Sequence, residues 1–234
     1  MMRMLRLCAP LLALLAAGCA TTHPDDPFEH YNRVAFGFNR AVDDIALRPA
    51  AEVYTRLPSF MQTGVYNFFG NLQDVNTAAN NFLQGKWRAG ISDVTRVGLN
   101  TSLGIAGLFD VASEAGLQKN YEDFGQTLGK WGMESGPYVV LPLLGPSTLR
   151  DTLATPVDFQ LDPWYYKRPA RYRNAGVVLR TVDQRATLLD ASTLLEEAAL
   201  DRYQFVRDAY LQRRRNQVYD GDPPPLPRAA ENDE

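Results

Sequence analysis

The sequence predicts a mainly α fold, and three observations carry that prediction. Apolar residues recur at helical spacing through several long stretches. Strand-like alternation is scarce. The balance of 45% apolar and 22% charged residues over 234 positions is that of a folded chain and not a disordered one. The same composition narrows the function. A formal net charge of −3 argues against a strongly basic nucleic-acid binder. Two cysteines cannot build a disulfide scaffold, and two histidines leave little for a zinc site.

The chain opens on an address. Residues 1–18 read as a bacterial signal peptide, with Arg3 and Arg6 at the positive end and Leu7 to Ala17 as the apolar stretch. That stretch is too short to span a membrane. It ends in Ala16-Ala17-Gly18-Cys19, small residues before a cysteine, as in a lipobox. Ala16 stands where leucine is usual, with Leu15 one step earlier. The plainer alternative is a secretory peptide cut nearby. Cys19 is thus the expected lipidation site. Cleavage before it leaves 216 residues with 22 basic and 27 acidic side chains, a net charge of −5, and no other cysteine. An intramolecular disulfide is then excluded, and an acylated sulfur cannot act as a thiolate.

The elements follow in order. Residues 19–27, with two prolines and two aspartates near their end, read as a lipidated tether. The body is expected over 28–215. From Phe28 the series Phe28, Tyr31, Val34, Phe38, Val42, Ile45 keeps helical spacing. Pro49 and Pro58 punctuate the next stretch. Ser59 is a candidate N-cap for a long helix running towards Gly85. A further helix spans Trp87 to about Asn100, with Trp87, Ile91 and Val94 on one face. Glycines then crowd the chain from Gly98 to Gly136. Residues 137–146 are apolar but broken by prolines. Two charged helices are expected at about 173–190 and 193–215. In the second, Leu195, Ala199, Tyr203, Val206 and Tyr210 form the expected buried face. Residues 216–234, rich in proline and acid, are expected to be disordered.

Charge distribution says more than total charge. From Leu57 to Gly85 the only charged side chain is Asp74. Around a helix, Val65, Phe68, Phe69, Leu72, Val75, Ala79, Phe82 and Leu83 fall on one broad face. Asn67, Asn71, Asp74 and Asn81 fall on the other. The polar face is therefore amide where a surface helix would carry lysine and glutamate. Central charge costs about 2.5–3.5 kcal/mol per residue in lipid. Amides towards a polar cavity and apolar residues towards lipid would avoid that cost. Five asparagines and three glutamines in the segment argue against simple spanning. Asn67, Asn71 and Asn81 are the candidate channel or polar-face residues, and Phe68, Phe69 and Leu72 the candidate lipid-facing ones. Two more stretches lack charge: Val97 to Phe109, between Arg96 and Asp110, and Ser135 to Leu149, between Glu134 and Arg150. By contrast, 17 of the 49 residues from Lys167 to Arg215 are charged, so that half reads as water-facing. The competing reading of the middle segment is a buried core rich in hydrogen-bonded amides.

No enzyme signature appears. Gly125 to Lys130 is one residue short of a phosphate loop, and Trp131 replaces the required Ser or Thr. There is no Gly-x-Ser-x-Gly elbow and no calcium-loop spacing. His23 lies in the tether and His30 near the first helix. The expectation is a non-enzyme with no metal and no cofactor.

Ordered blocks along the chain resemble the VacJ/MlaA outer-membrane lipoproteins over nearly the whole mature length. They begin with Asp26-Pro27-Phe28-Glu29, Tyr31-Asn32-Arg33 and Phe38-Asn39. They continue through Asn67-Phe68, Asn71-Leu72, Asn81-Phe82-Leu83-Gln84-Gly85 and Gly107-Leu108-Phe109-Asp110. Phe124-Gly125-Gln126-Thr127-Leu128-Gly129, Trp131-Gly132, Gly136-Pro137-Tyr138 and Leu149-Arg150-Asp151 complete the centre. Arg185, Leu188-Leu189-Asp190 and Arg207-Asp208-Ala209-Tyr210 fit near the end. The resemblance implies a single helical ring- or disc-like domain in the inner leaflet of the outer membrane, facing the periplasm. It implies a polar channel, a trimeric outer-membrane porin as partner, and phospholipids as cargo. It further implies that misplaced lipids leave the outer leaflet and pass to the soluble periplasmic carrier MlaC, with an inner-membrane ATPase complex driving later steps. The alternative is a structural lipoprotein that braces a porin without transferring lipid.

Overall fold

The structure, a computed structural model, describes residues 26–225. The expected signal peptide, Cys19 and most of the tether lie outside the described residues, as does the end of the tail from 226.

Helices dominate, as the periodicity predicts. Helix α1 (Glu29–Val42) runs through a π-helical turn (Asp43–Leu47) into α2 (Arg48–Tyr54). Pro49 falls in the first turn of α2, where its missing N–H matters least, and the wider π turn just before it gives the ring room. The expected break at Pro49 is therefore a change of winding within one rod. Helix α3 (Ser59–Leu83) is about 37 Å long at 1.5 Å per residue. Pro58, one residue before the expected Ser59, takes the N-cap position. The helix stops at Gly85, whose positive φ closes a Schellman cap: Gly85 N–H donates to Phe82 O and Lys86 N–H to Asn81 O. Helix α4 (Trp87–Ser102) returns antiparallel to α3.

Short helices α5 (Val111–Glu114) and α6 (Phe124–Lys130) follow. The Gly125–Lys130 stretch is thus helical, and the Asp123 carboxylate caps it by accepting from Gln126 N–H. An acid stands where a phosphate loop would place its anion. Residues 137–146 form most of an antiparallel hairpin of β1 (Tyr138–Leu141) and β2 (Gly145–Thr148), with Tyr138 opposite Thr148. Sequence reasoning missed it because Pro142 and Pro146 mask the short strands, although both fit an edge and a turn. Helix α7 (Leu149–Leu161), a 3₁₀ turn (Pro163–Tyr166) and α8 (Ala170–Ala186) complete the middle. The second expected charged helix is two: α9 (Leu189–Ala198) and α10 (Arg202–Val218). Asp201 separates them, capping α10 by accepting from Gln204 N–H.

Two expected boundaries move. Asp26, assigned to the tether, is fully buried, and α10 continues to Val218, past the expected end of the body at 215. Asp220, placed in the tail, pairs with Lys86 and with Lys130 at 3.2 Å. Among the described residues, no helix is long and apolar enough to cross a membrane.

Packing depends on a few glycines. Gly176 of α8 lies under the Trp164 indole, and a Cβ there would enter the ring. Gly104 sits against the carbonyl oxygens of Asn100 and Phe109, which are backbone atoms and cannot swing away. Gly37 of α1, in contrast, faces open space. Gly104→Ala should therefore cost at the upper end of about 1–3 kcal/mol. Gly37→Ala should stabilise by about 0.5–1 kcal/mol through helix propensity. Thermal unfolding of the two variants in detergent should move Tm in opposite directions.

Candidate functional site

The site begins with an inversion of the usual rule for burial. The fully or nearly fully buried side chains include Asn32, Asp74, Asn80, Asn81, Asp93, Arg96 and Asn100. Large apolar side chains stand outside: Ile45 is 80% exposed, Phe60 75%, Trp87 65% and Ile91 60%. The stripe Tyr31, Val34, Phe38, Ile45 faces outward, while Asn32 and Ala35 on the other side of α1 are buried. Trp87, Ile91 and Val94 are likewise the outer face of α4, and Asp93, Arg96 and Asn100 its inner face.

Three polar clusters hold the interior. The first joins α3 to α4. Arg96 meets Asp74 through Nε at 3.3 Å and Asp110 through Nη2 at 3.0 Å, and its Nη1 donates to Ser113 Oγ at 3.1 Å. Lys119 Nζ also pairs with Asp74 and donates to Gly70 O at 2.9 Å. Asn100 Nδ2 donates to Asp110 at 2.9 Å while its Oδ1 accepts from Ala112 N–H. Asp93 accepts from Asn81 Nδ2 at 2.7 Å and Asn120 Nδ2 at 2.9 Å.

Burial pushes the Asp93 carboxyl up, against the lowering by its two amide donors. Asp110 goes the other way. Although burial opposes it, the hydroxyl and backbone N–H of Ser113, the Asn100 amide and the Arg96 guanidinium bring its carboxyl down to about 2.

The second cluster ties α10 to α6 and α7. Arg214 donates to Asp123 Oδ2 at 2.6 Å and to Asp151 Oδ2 at 2.8 Å, and Tyr210 OH donates to Asp151 at 2.8 Å. Against burial, the guanidinium holds both carboxyls below the ordinary range. The third cluster joins the residues just before α1 to α10. Asp26 accepts from Asn32 Nδ2 at 2.8 Å, from Tyr203 OH and from Arg207 Nη1 at 3.3 Å. Asn32 also donates to Tyr138 O and accepts from Val140 N–H. Seven residues on, Asn39 repeats this with Leu141 O and Leu143 N–H. The two amides of α1 thus pair the open edge of β1 as a strand would.

Of the candidate polar-face residues, Asn71 and Asn81 are buried. Asn71 Nδ2 donates to Thr101 Oγ1 at 3.0 Å, and Asn67 Nδ2, half-buried, donates to Leu108 O at 3.1 Å. Asn81 borders a groove of about 680 Å³ with Lys86, Trp87, Asn120, Glu122 and Asp220. Among the described residues, the buried Oδ1 atoms of Asn71 and Asn81 have no hydrogen-bond partner.

The expected lipid-facing set needs correction. Phe69 is buried, edge-on to Phe68 and to Trp164 at 5.6 Å, with Arg180 over its ring. Phe68 and Leu72 are half-buried. The 3₁₀ turn and α8 cover this side of α3, because Gly176 lets the Trp164 ring lie flat in between. The apolar residues of α3 that do stand open are Phe60, Met61, Tyr66 and Leu83. Sequence reasoning missed Asn32, Asp93, Arg96, Asp110 and Arg214 as organisers. One signal was present: Arg96 and Asp110 flank a charge-free stretch, and they pair with each other across it. Among the described residues, no cluster of His, Cys, Asp and Glu is arranged to hold a metal.

A family model described as "MlaA lipoprotein" matches residues 24–217. The chain is 37% identical over 212 residues to the intermembrane phospholipid transport system lipoprotein MlaA of Escherichia coli K12, covering 85% of this chain and 82% of that protein. It is 29% identical to the protein of that name in Haemophilus influenzae, over 92% of this chain and 90% of that one. An uncharacterized protein of Rickettsia bellii is 35% identical, over 86% and 79% of the two chains. A solved structure described as the structural basis for maintenance of bacterial outer membrane lipid asymmetry superposes with a TM-score of 0.69 at 36% identity. It covers 84% of this chain and 99% of its own.

The clusters carry two expected outcomes. Arg96→Met leaves Asp74 and Asp110 without their shared guanidinium and should cost about 3–5 kcal/mol in detergent-phase chemical unfolding. The double variant with Asp74→Met should recover much of that loss. Asp110 has a lowered carboxyl in the fold, so its contribution is present above its unfolded value and lost as pH falls through about 2. Asp110→Asn should flatten that acid limb of the stability curve.

Proposed function

The chain belongs to the MlaA lipoprotein family, and from that premise we propose that it is a lipid-anchored protein of the inner leaflet of the outer membrane that moves phospholipids between membranes. It takes misplaced phospholipids from the outer leaflet along a polar path and passes them to a soluble periplasmic carrier. A trimeric porin seats it. No covalent chemistry takes place. The observation that carries this reading is the inversion: apolar side chains outside, amides and charges inside.

A water-exposed protein would lose stability with Ile45, Phe60, Trp87, Ile91 and Val94 open, whereas a surrounding leaflet removes that apolar surface from water. With no spanning helix among the described residues, the body is suited to lie within one leaflet, held by acyl chains on Cys19. A headgroup crossing such a layer needs polar partners to replace water. The neutral amides of Asn67, Asn71 and Asn81 would hold a phosphate or glycerol less tightly than arginine does, their Nδ2 donors exchanging Leu108 O, Thr101 Oγ1 and Asp93 for it, and so favour release. The acyl chains need no protein path, since lipid or the apolar exterior takes them.

The test is transfer of a labelled phospholipid from vesicles to purified carrier. Asn71→Leu and Asn81→Leu should leave membrane association intact and slow transfer several-fold. Trp87→Asp with Ile91→Asp should instead weaken association of the unlipidated chain. Normal association with no transfer by the unaltered protein would favour the bracing role over transport.

A further inference from the structure

Between the 3₁₀ turn and the first turns of α8 the sequence runs Trp164-Tyr165-Tyr166-Lys167-Arg168-Pro169-Ala170-Arg171-Tyr172-Arg173. It holds four cations and no acid. Lys167, Arg168 and Arg171 are exposed and Arg173 is half-buried. Among the described residues none of the four pairs with a carboxylate, and the nearest acid in sequence, Asp162, is taken by Arg180 at 2.7 Å. Three of the four lie on rings instead. Arg171 sits 4.8 Å from the Tyr172 centroid and donates to its hydroxyl at 3.2 Å. Lys167 lies over Trp164 and Arg173 over Tyr165, each at 5.8 Å. The phenol rings of Tyr165, Tyr166 and Tyr172 are themselves exposed. One turn further along α8 the outer face becomes apolar at Val177 and Val178.

The cations of the three interior clusters each meet a carboxylate of the protein. Those of this corner do not, which leaves them open to an anionic partner from outside. Aromatic rings with lysine and arginine beside an apolar face form the pattern favoured where headgroups meet hydrocarbon. We propose that this corner is an electrostatic foot that binds the anionic headgroups of the leaflet and fixes how deeply the body sits. The rings enter the headgroup layer, Val177 and Val178 continue into hydrocarbon, and the guanidinium and ammonium groups pair with phosphate oxygens. The inference rests on the membrane placement proposed above, to which it adds a preference for anionic lipid.

The experiment is vesicle flotation of the mature full chain carrying Cys19→Ser, so that acyl chains do not dominate. Two vesicles are compared: phosphatidylcholine alone, and phosphatidylcholine mixed with phosphatidylglycerol. The expected result is binding to both, stronger on the anionic vesicles, with the excess lost at high salt. Lys167→Gln with Arg168→Gln and Arg171→Gln should remove the excess, at least about tenfold in partitioning, and leave binding to neutral vesicles unchanged. Arg168→Lys with Arg171→Lys, which keeps the charge, should keep the excess.

Equal binding to the two vesicles, or an excess that survives the triple neutralisation, overturns the foot and turns the patch towards an acidic protein partner. Failure to bind either vesicle overturns the membrane placement itself.

Discussion

The α3–α4 hairpin depends on one guanidinium. Arg96 is 1% exposed and is shared between the carboxylates of Asp74 and Asp110, with Lys119 closing the other side of Asp74. Taking such groups out of water is costly, and their mutual attraction offsets that cost only when the geometry is complete. Here it is complete: Ser113, Asn100 and the Leu117 carbonyl occupy the remaining donors and acceptors. A hydrophobic seam of the same volume would serve as well in water. In lipid it would not, because apolar helices gain nothing from turning apolar faces towards each other and away from hydrocarbon. A polar seam is what distinguishes the inside of the hairpin from the outside when the solvent is itself apolar.

The same constraint orders the rest of the fold. The amides of Asn32 and Asn39 bind the β1 edge, which would otherwise present unpaired backbone groups at a cost that apolar surroundings make severe. Arg214 gathers Asp123 and Asp151 so that α10 closes over α6 and α7. Among the described residues, the buried Oδ1 atoms of Asn71 and Asn81 stay without a partner beside these pairs. The headgroup path proposed above would run between walls held by these ion pairs.

How much of this could be read from the sequence follows from which signals are local. The helical period and the Gly85 stop of α3 are local, and both appear as expected. The lone Asp74 in a charge-free stretch was legible as an anomaly, but its partners lie 22 and 45 residues away, and no spacing rule reaches them. Phe69 shows the opposite failure. Its face of α3 reads as lipid-exposed because the covering element, with Lys167, Arg168, Arg171 and Arg173, reads as water-facing, and only the Trp164–Gly176 contact reveals the cover. The hairpin was hidden by Pro142 and Pro146, and the break before α10 by an Asp201 cap inside a continuous charged run. Periodicity located the stripes correctly on α1 and α4. It could not say that the apolar stripe faces out, since a helical wheel has no reference to the solvent.

That reference comes from the chain's start. Asp26 is bound by Asn32, Tyr203 and Arg207, so the point where the tether enters the body is fixed against α1 and α10. An acyl anchor on Cys19 is seven residues upstream, a reach of at most about 25 Å when extended. Asn32 and the exposed Tyr31, Val34 and Phe38 belong to the same helix, α1, on opposite sides of it. In the placement proposed above, an anchored chain would begin with α1 beside the membrane, its apolar stripe within reach of hydrocarbon and its amides committed to the hairpin. The anchor would then supply proximity and the stripe apolar area, and the buried Asp26 would couple the two, because an entry point not fixed to the body would leave its orientation free.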